Sequence, residues 1–329
     1  MQIDLSSAVS FDNKVAGHDG VLQDASGSVI IKPATTYEIE FYEQLAAQHP
    51  SFAAVVPRFY GTLELSGEQG GGSAEEKGAD GSHKIKDAEK AIVLENVTSG
   101  FVRPSVVDIK LGRQLWDARA SAEKAARLDA VAAATTSGSL GFRIAGMKVW
   151  DSAKAEFVVY DKNYGRRFAK EDVVEGFREF LPESVGERRR EITRRIVEEV
   201  GRIAEVLEGE ESRMYSASLL IVYEGDGEAY EEAKVAREAV SSEEEEEEEI
   251  EVVSETVEID GRTVEQVSFA STAEVAEVAG EEDEDEEEKE VLKVKVIDFA
   301  HATWVPGQGK DVNMLEGVYN VRKLFEQLL

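Results

Sequence analysis

The sequence contains no cysteine, which excludes disulfide cross-links, thiolate zinc sites and thiol nucleophiles together. It has no run of eighteen or more apolar residues and no basic-then-apolar N-terminus, so a soluble chain, neither secreted nor membrane-spanning, is expected. Histidine is scarce, with only His18, His49, His83 and His301. His49 precedes a proline at a helix end and His83 lies in a polar loop, so both are expected to be exposed. No HExxH, GxSxG or Cys/His ligand spacing occurs, which leaves metallohydrolases and serine hydrolases without parts. The GxGxxG and GxxxxGK(S/T) phosphate loops are missing as well. "GEQGGGS" has glycines but no helix or lysine in the right place after it, and reads as a linker.

What is present is acid, and it is local. Of 68 Asp and Glu, 29 fall between positions 224 and 290 against 4 Lys and Arg there; the rest of the 329 residues holds 39 acids and 33 bases. That remainder is near balance and can hold a basic pocket for an anionic ligand. The acidic segment would repel phosphate backbones, which weighs against nucleic acid as a direct partner. Glu243 to Glu249 and Glu281 to Glu288 are unbroken acidic runs. Between them "TVEIDGRTVEQVSF" alternates around Asp260-Gly261, a two-residue hairpin signal. A solvated hairpin flanked by disordered acidic loops is expected over about 225–290, serving as a tolerated surface insertion or as a docking site for protein partners.

The first hundred residues read as a small sheet with one packed helix. "GSVIIKP" is a β-branched strand ending in Lys32 and closed by Pro33. "TTYEIEFYEQLAAQHP" opens with a capping-box spacing, Thr35 to Glu38, and keeps helical periodicity through Ile39, Tyr42 and Leu45 until Pro50. "FYGTLEL" and "AIVLENV" read as strands. Further on, an Ala-rich helix begins near Ser121. "GFRIAGMKVWD" and "AEFVVYDK" look like adjacent strands, and Ile192, Ile196, Val200, Ile203 and Leu207 form the apolar stripe of an amphipathic helix. "YSASLLIVYEG" and "VLKVKVIDFAH" read as buried strands.

In "RPSVVDIKLGRQLWD", Asp108 and Lys110 lie two apart and so share a face of a strand. Together with Lys32, Ser218, Asp298 and His301 they form a scattered set of polar residues at strand ends. A strand lysine, a strand-end carboxylate in apolar surroundings and a basic helix are the parts that phosphoryl transfer from a nucleotide requires. The lysine neutralises phosphate oxygens, the carboxylate holds Mg2+, and a second cationic patch positions the acceptor.

"PSVVDIKLG" matches the PxxxDxKxG signature of the inositol polyphosphate kinase family. "ASLL" before "IVYEG" resembles that family's SSLL segment, and "VIDFAHATWVPGQGKD" its IDF segment. "VIIKP", "LENVT", "DARASAEKAARL" and "SLGFRIAGMKVWD" resemble further family blocks, in the family's order. The wording after the signature is most similar to the multikinase branch, particularly its fungal members.

The resemblance implies an α+β, two-lobed kinase-like fold. It would have an N-lobe over about 1–98, with an antiparallel sheet plus helix, and a larger C-lobe over 99–329 with sheet and helices. A substrate helix is expected near 118–136. ATP and Mg2+ would be the cofactors. The resemblance gives Lys32 to the nucleotide phosphates, the backbone of Glu95 and Val97 to adenine, and Asp108 to the ribose hydroxyls. Lys110 would reach the transferred phosphate and the inositol, Asp298 would bind the metal, and Ser218 would lie near metal or phosphates. Lys124, Arg127 and His301, with Arg113 as a looser candidate, would bind substrate phosphates. Two departures stand out: Val131 replaces a basic residue of some relatives, and Ala217 replaces the first serine of SSLL.

The implied reaction is transfer of the ATP γ-phosphoryl group to hydroxyls of soluble inositol tris- and tetrakisphosphates. Inositol lipid head groups are a further acceptor the resemblance implies. The rival readings are a hexakisphosphate kinase making pyrophosphates and a scaffold or transcriptional regulator acting through the acidic insert. A monomer is expected, and by the same resemblance an intracellular location in nucleus and cytoplasm.

Overall fold

The computed structural model describes residues 9–11, 20–64, 90–247, 252–259, 262–269 and 289–329. The chain begins with β1 (Val9–Ser10), β2 (Leu22–Gln23), β3 (Val29–Pro33), α1 (Thr36–Gln48), α2 (Pro50–Ala53), β4 (Phe59–Glu64) and β5 (Lys90–Glu95). It continues with β6 (Pro104–Leu111), α3 (Ala122–Ala133), α4 (Thr136–Leu140), β7 (Phe142–Asp151), β8 (Glu156–Tyr160), α5 (Lys162–Arg166), α6 (Val173–Phe180) and α7 (Arg188–Gly209). Then come β9 (Ser212–Met214), β10 (Ser218–Glu224), α8 (Gly227–Glu247), β11 (Val252–Ile259), β12 (Arg262–Phe269), β13 (Leu292–Ile297), β14 (Ala302–Trp304) and α9 (Val312–Glu326). The strands form two antiparallel five-stranded sheets, ordered β1-β2-β3-β5-β4 and β13-β10-β6-β7-β8, with smaller β11-β12 and β14-β9 pairs. This is the α+β, two-lobed arrangement expected of a kinase-like chain. No helix among the described residues is long and apolar enough to cross a membrane.

Local sequence explains most elements. Thr35 caps α1 by accepting from the Glu38 N–H at 3.3 Å, and Pro50 takes the first position of α2, where its missing N–H costs nothing. On α7 the five stripe residues Ile192, Ile196, Val200, Ile203 and Leu207 are all 0–1% exposed, each contributing about 2 kcal/mol relative to exposure. They close one face of the C-terminal sheet together with α9. An acidic residue at Ile196 would leave an unpaired charge in that layer and break it.

The two sheets share one continuous core rather than two separate ones. Its joint is aromatic: Phe41 on α1 stacks on Phe299 at 4.8 Å and on Trp304 at 4.6 Å, and Phe299 meets Tyr42 at 5.3 Å. His49 belongs to this joint, stacked 3.5 Å from Trp304, with Nδ1 2.7 Å from a Glu210 oxygen. The expectation that His49 is simply exposed is therefore corrected: its ring is the outer leaf of the stack. His83 lies outside the described residues.

The acidic segment also differs from expectation. Its start is α8, a helix running from Gly227 through Glu247, not a loop. Ala, Glu, Lys and Arg are good helix formers, and Tyr230 and Ala233, three residues apart, are buried against the C-terminal sheet and α7. Reading the segment by its overall charge hid that local pattern. The expected hairpin is present, with Ile259 opposite Arg262. The acidic run 281–288 lies outside the described residues.

Candidate active site

The strand lysine and the distant aspartate meet. Lys32 Nζ lies 2.8 Å from Glu38 Oε1 and 2.9 Å from Asp298 Oδ1, although 266 residues of chain separate Lys32 from Asp298. Burial works against the ammonium charge, but Asp298 and Glu38 outweigh it and hold the Lys32 pKa above the usual lysine range. Glu38 was read only as half of a capping box. Its Oε1 instead accepts from Lys32 and from the Phe299 N–H at 3.3 Å.

Asp298 is placed by two features. Strand alternation past Ile297 would send it to the core side, but its φ of 69° is left-handed, a conformation Asp tolerates better than most, and this turns the carboxylate toward Lys32. The next residue, Phe299, is fully buried in the aromatic joint and anchors the turn.

The floor of the cleft is one face of the C-terminal sheet. Lys110 stands opposite Ser218, and Ser218 opposite Ile297, so β6, β10 and β13 present Asp108, Lys110, Ser218 and Lys295 on one side. Lys110 does not turn back to Asp108. Its Nζ donates to the Ser216 carbonyl at 2.8 Å and approaches Asp298 Oδ2 at 3.5 Å. Asp298 thus sits between two lysines. Asp108 is 3% exposed, and burial raises its carboxyl pKa against the opposing pull of Lys110. Its Oδ1 and the Ser218 Oγ are buried without a hydrogen bond of good geometry among the described residues, and the Ser218 hydroxyl lies near enough to Asp108 to oppose part of that rise. At the end of the cleft nearest the connection between the sheets, Val97, Val106 and Val222 form a small apolar cluster of their own, with Phe101 and Leu220 against it. The Glu95 N–H is taken by the Arg58 carbonyl, and its side chain accepts from Lys293 at 3.1 Å. Glu95 also borders a mixed-charge crevice of about 510 Å³ that Arg202, Lys293 and Lys295 line, away from Asp298.

His301 lies on the other flank, its Nδ1 2.9 Å from Asp117 Oδ2, and Arg119 holds the same carboxylate. Both border a cleft of about 420 Å³ whose other wall is Tyr37, Glu40 and Phe41 of α1, with the Arg119 guanidinium 3.9 Å over the Tyr37 ring. Asp117 and Arg119 were missed because no local pattern marks them; only His301 in place reveals Asp117. Lys124 and Arg127 are one turn apart on α3, which Ser121 caps by accepting from the Lys124 N–H. Neither side chain makes an ion pair among the described residues. Arg113 is different: its guanidinium is bonded to Glu316 and to the carbonyls of Gly138 and Ser139. It ties the turn after β6 to α9 and α4, and its partly exposed guanidinium is engaged by these groups.

Among the described residues no group of three or more His, Asp or Glu is arranged to hold a metal. A carboxylate between two lysines fits a Mg2+ ion that takes one or two protein oxygens and fills the rest of its shell with phosphates and water. A strand lysine paired with a helix glutamate, facing a strand-end aspartate across a two-sheet cleft, defines a phosphotransferase acting on a metal–nucleotide.

The sequence model described as inositol polyphosphate kinase matches residues 91–326, so this chain belongs to the inositol polyphosphate kinase family. The inositol polyphosphate multikinase of Saccharomyces cerevisiae is 29% identical over 355 residues, covering 95% of this chain and 96% of that relative. The multikinase of Schizosaccharomyces pombe is 33% identical over 225 residues, covering 65% of this chain and 78% of the relative. Among solved structures, an S. cerevisiae inositol phosphate multikinase in complex with ADP and Mn2+ superposes with a TM-score of 0.62 at 25% identity, covering 92% of this chain and 99% of that one.

Proposed function

We propose that this chain is a kinase of the multikinase type, transferring the γ-phosphoryl group of Mg-ATP to hydroxyls of soluble inositol tris- and tetrakisphosphates. The observation that carries this reading is the Lys32–Asp298–Lys110 contact, which gathers two cations and a carboxylate at one point of the cleft. The nucleotide and divalent ion named for the S. cerevisiae structure support the same pair here. Adenine would rest on the Val97, Val106 and Val222 cluster, and the buried Asp108 carboxylate would accept from ribose hydroxyls. Asp298 would hold the ion, which when bound draws negative charge from the phosphate oxygens. Lys32, kept charged by Glu38, and Lys110 neutralise the same oxygens from the protein side, with Ser218 beside them. Lys124, Arg127 and His301 supply the cations and donors for the acceptor's own phosphates. A loose transition state asks mainly for alignment and charge neutralisation, and this set of residues provides both.

The test is to incubate the protein with Mg-ATP and a panel of inositol tris-, tetrakis- and hexakisphosphates and an inositol lipid, and to resolve the products by chromatography. Products from the tris- and tetrakisphosphates are expected. Product from the hexakisphosphate alone would overturn the multikinase assignment, and no turnover by a folded protein would favour a scaffold acting through the acidic segment. Asp298→Asn is expected to lower kcat by at least about 10²-fold, the order for losing a preorganised charge at the reacting centre, with an unchanged circular dichroism spectrum.

A further inference from the structure

Arg143 is a basic side chain on the cleft face that the roles above do not use. Strand β7 pairs with β6 in regular register from Val106↔Lys148 to Asp108↔Gly146, then slips by one residue, so that Ile109 faces Ile144 and Lys110 faces Arg143. The extra residue is Ala145, a β-bulge. Without it Lys110 would stand opposite Ile144, and Arg143 would point into the core opposite Leu111. With it, Ile144 is buried at 1% exposure and Arg143 emerges beside Lys110 on the cleft side. A slip of one residue exchanges the two faces of a strand, and here the exchange puts an arginine next to the lysine of the site.

A second arginine is brought to the same place. Helix α5 lies against β7 so closely that a Cβ on Gly165 would come within 1.9 Å of the Ile144 carbonyl oxygen. Glycine at that position allows the approach and sets Arg166, the next residue, near Arg143. Burial and the Arg166 charge lower the Arg143 pKa to about 10, and Asp108 offsets only part of this. Arg143 donates to Ser137 Oγ on α4 at 2.9 Å, and neither arginine makes an ion pair among the described residues. Three other arginines show the alternative, a carboxylate partner: Arg113 with Glu316, Arg195 with Glu191, Arg202 with Glu199. A largely buried guanidinium with a second arginine near it and no ion pair among the described residues suits a dianionic ligand.

The position says which dianion. Along one row of the sheet the order is Ile297, Ser218, Lys110, Arg143, so Asp298 and Arg143 lie on opposite sides of Lys110, about 14 Å apart by strand spacing. The nucleotide phosphates belong to the Lys32–Asp298 side. Arg143 is on the far side, bonded to α4, which continues from the helix carrying Lys124 and Arg127. We propose that Arg143, with Arg166 beside it, forms a phosphate subsite that positions the acceptor inositol polyphosphate on the far side of Lys110 from the nucleotide. This rests on the kinase reading above.

The experiment compares wild type with Arg143→Leu, Arg143→Lys and the exposed-site variant Arg166→Gln. It measures KM for inositol trisphosphate and for ATP separately, and the melting-temperature shift given by inositol trisphosphate or hexakisphosphate without nucleotide. Arg143→Leu is expected to raise the inositol trisphosphate KM by about 10-fold or more, the effect of losing a charge-assisted hydrogen bond, while the ATP KM changes by less than about 2-fold. Arg143→Lys should recover part of the loss, because it restores charge without the planar fork. Arg166→Gln should move the same constant in the same direction, and it reads the subsite if Arg143→Leu does not fold. Equal rises in both KM values would mark Arg143 as merely structural, and an unchanged inositol trisphosphate KM would sink the subsite. If wild type phosphorylates no inositol phosphate, the kinase reading fails by itself. The nucleotide-free melting shift then decides the subsite: it survives if Arg143→Leu abolishes the shift and is overturned if the shift is retained.

Discussion

Helices α7 and α3 are both rich in basic side chains and dispose of them in opposite ways. On α7, Arg195 is bonded to Glu191 and Arg202 to Glu199 within the helix, and nine of its residues are buried. On α3 only Ala132 is buried, and Lys124 and Arg127 have no carboxylate partner among the described residues. The first helix pairs two of its arginines within itself and closes the core with its apolar stripe. The second holds little of the core, and its charge is left for something that arrives. Lys124 and Arg127, which lack an ion pair among the described residues, are the α3 cations proposed above for the acceptor's phosphates.

The same contrast separates the two ends of the cleft, and it predicts how each responds to change. Lys32→Met should have the largest effect. It removes the cation between Glu38 and Asp298 and leaves two carboxylates together, one of them fully buried. A loss of about 3–5 kcal/mol in denaturant unfolding is expected, with no detectable turnover. Loss of turnover at unchanged stability would show that the triangle is not a packing element. Lys124→Ala and Arg127→Ala should each raise the inositol phosphate KM by about 10-fold while stability stays within about 0.5 kcal/mol. Arg202→Ala on α7 should change neither KM. If Arg202→Ala weakened substrate binding as much as Arg127→Ala, the division between the helices would fail.

The smallest effect concerns Asp108. Its folded pKa is raised by burial, so the ionised form costs free energy in the folded state once pH exceeds the unfolded value of a carboxyl. Asp108→Asn should therefore raise the melting temperature at pH 7 by a few degrees, about 1 kcal/mol, and the gain should vanish as pH falls below about 4. ATP affinity should fall in the same variant. A lower melting temperature at pH 7 would show that the carboxylate is compensated in the nucleotide-free state.

Much of this site is legible in the sequence. The strand ending in Lys32, the shared face of Asp108 and Lys110, the capped helix α3 and the stripe of α7 all follow from local periodicity and capping, which act over a few residues. Glu38 was visible but misassigned, since a carboxylate at the third helical position serves a capping box or a strand lysine equally well until the partner is placed. The Arg113–Glu316 pair was hidden for the converse reason: nothing near Arg113 in the chain announces Glu316. Helix α8 was obscured by the charge around it, and His49 by the assumption that a residue before proline faces water.

By itself the sequence determined the elements, the chemistry on each strand end and the family, because these depend on neighbours within a turn or a pleat and on the spelling of short blocks. Only the tertiary structure decided which charges meet. It brought Lys32 to Asp298, set Lys110 on Asp298 instead of Asp108, spent Arg113 on Glu316 and turned Arg143 to the cleft through one bulged residue. Ion pairing depends on distances of a few ångströms between segments far apart in the chain, and those distances are settled by core packing and strand register.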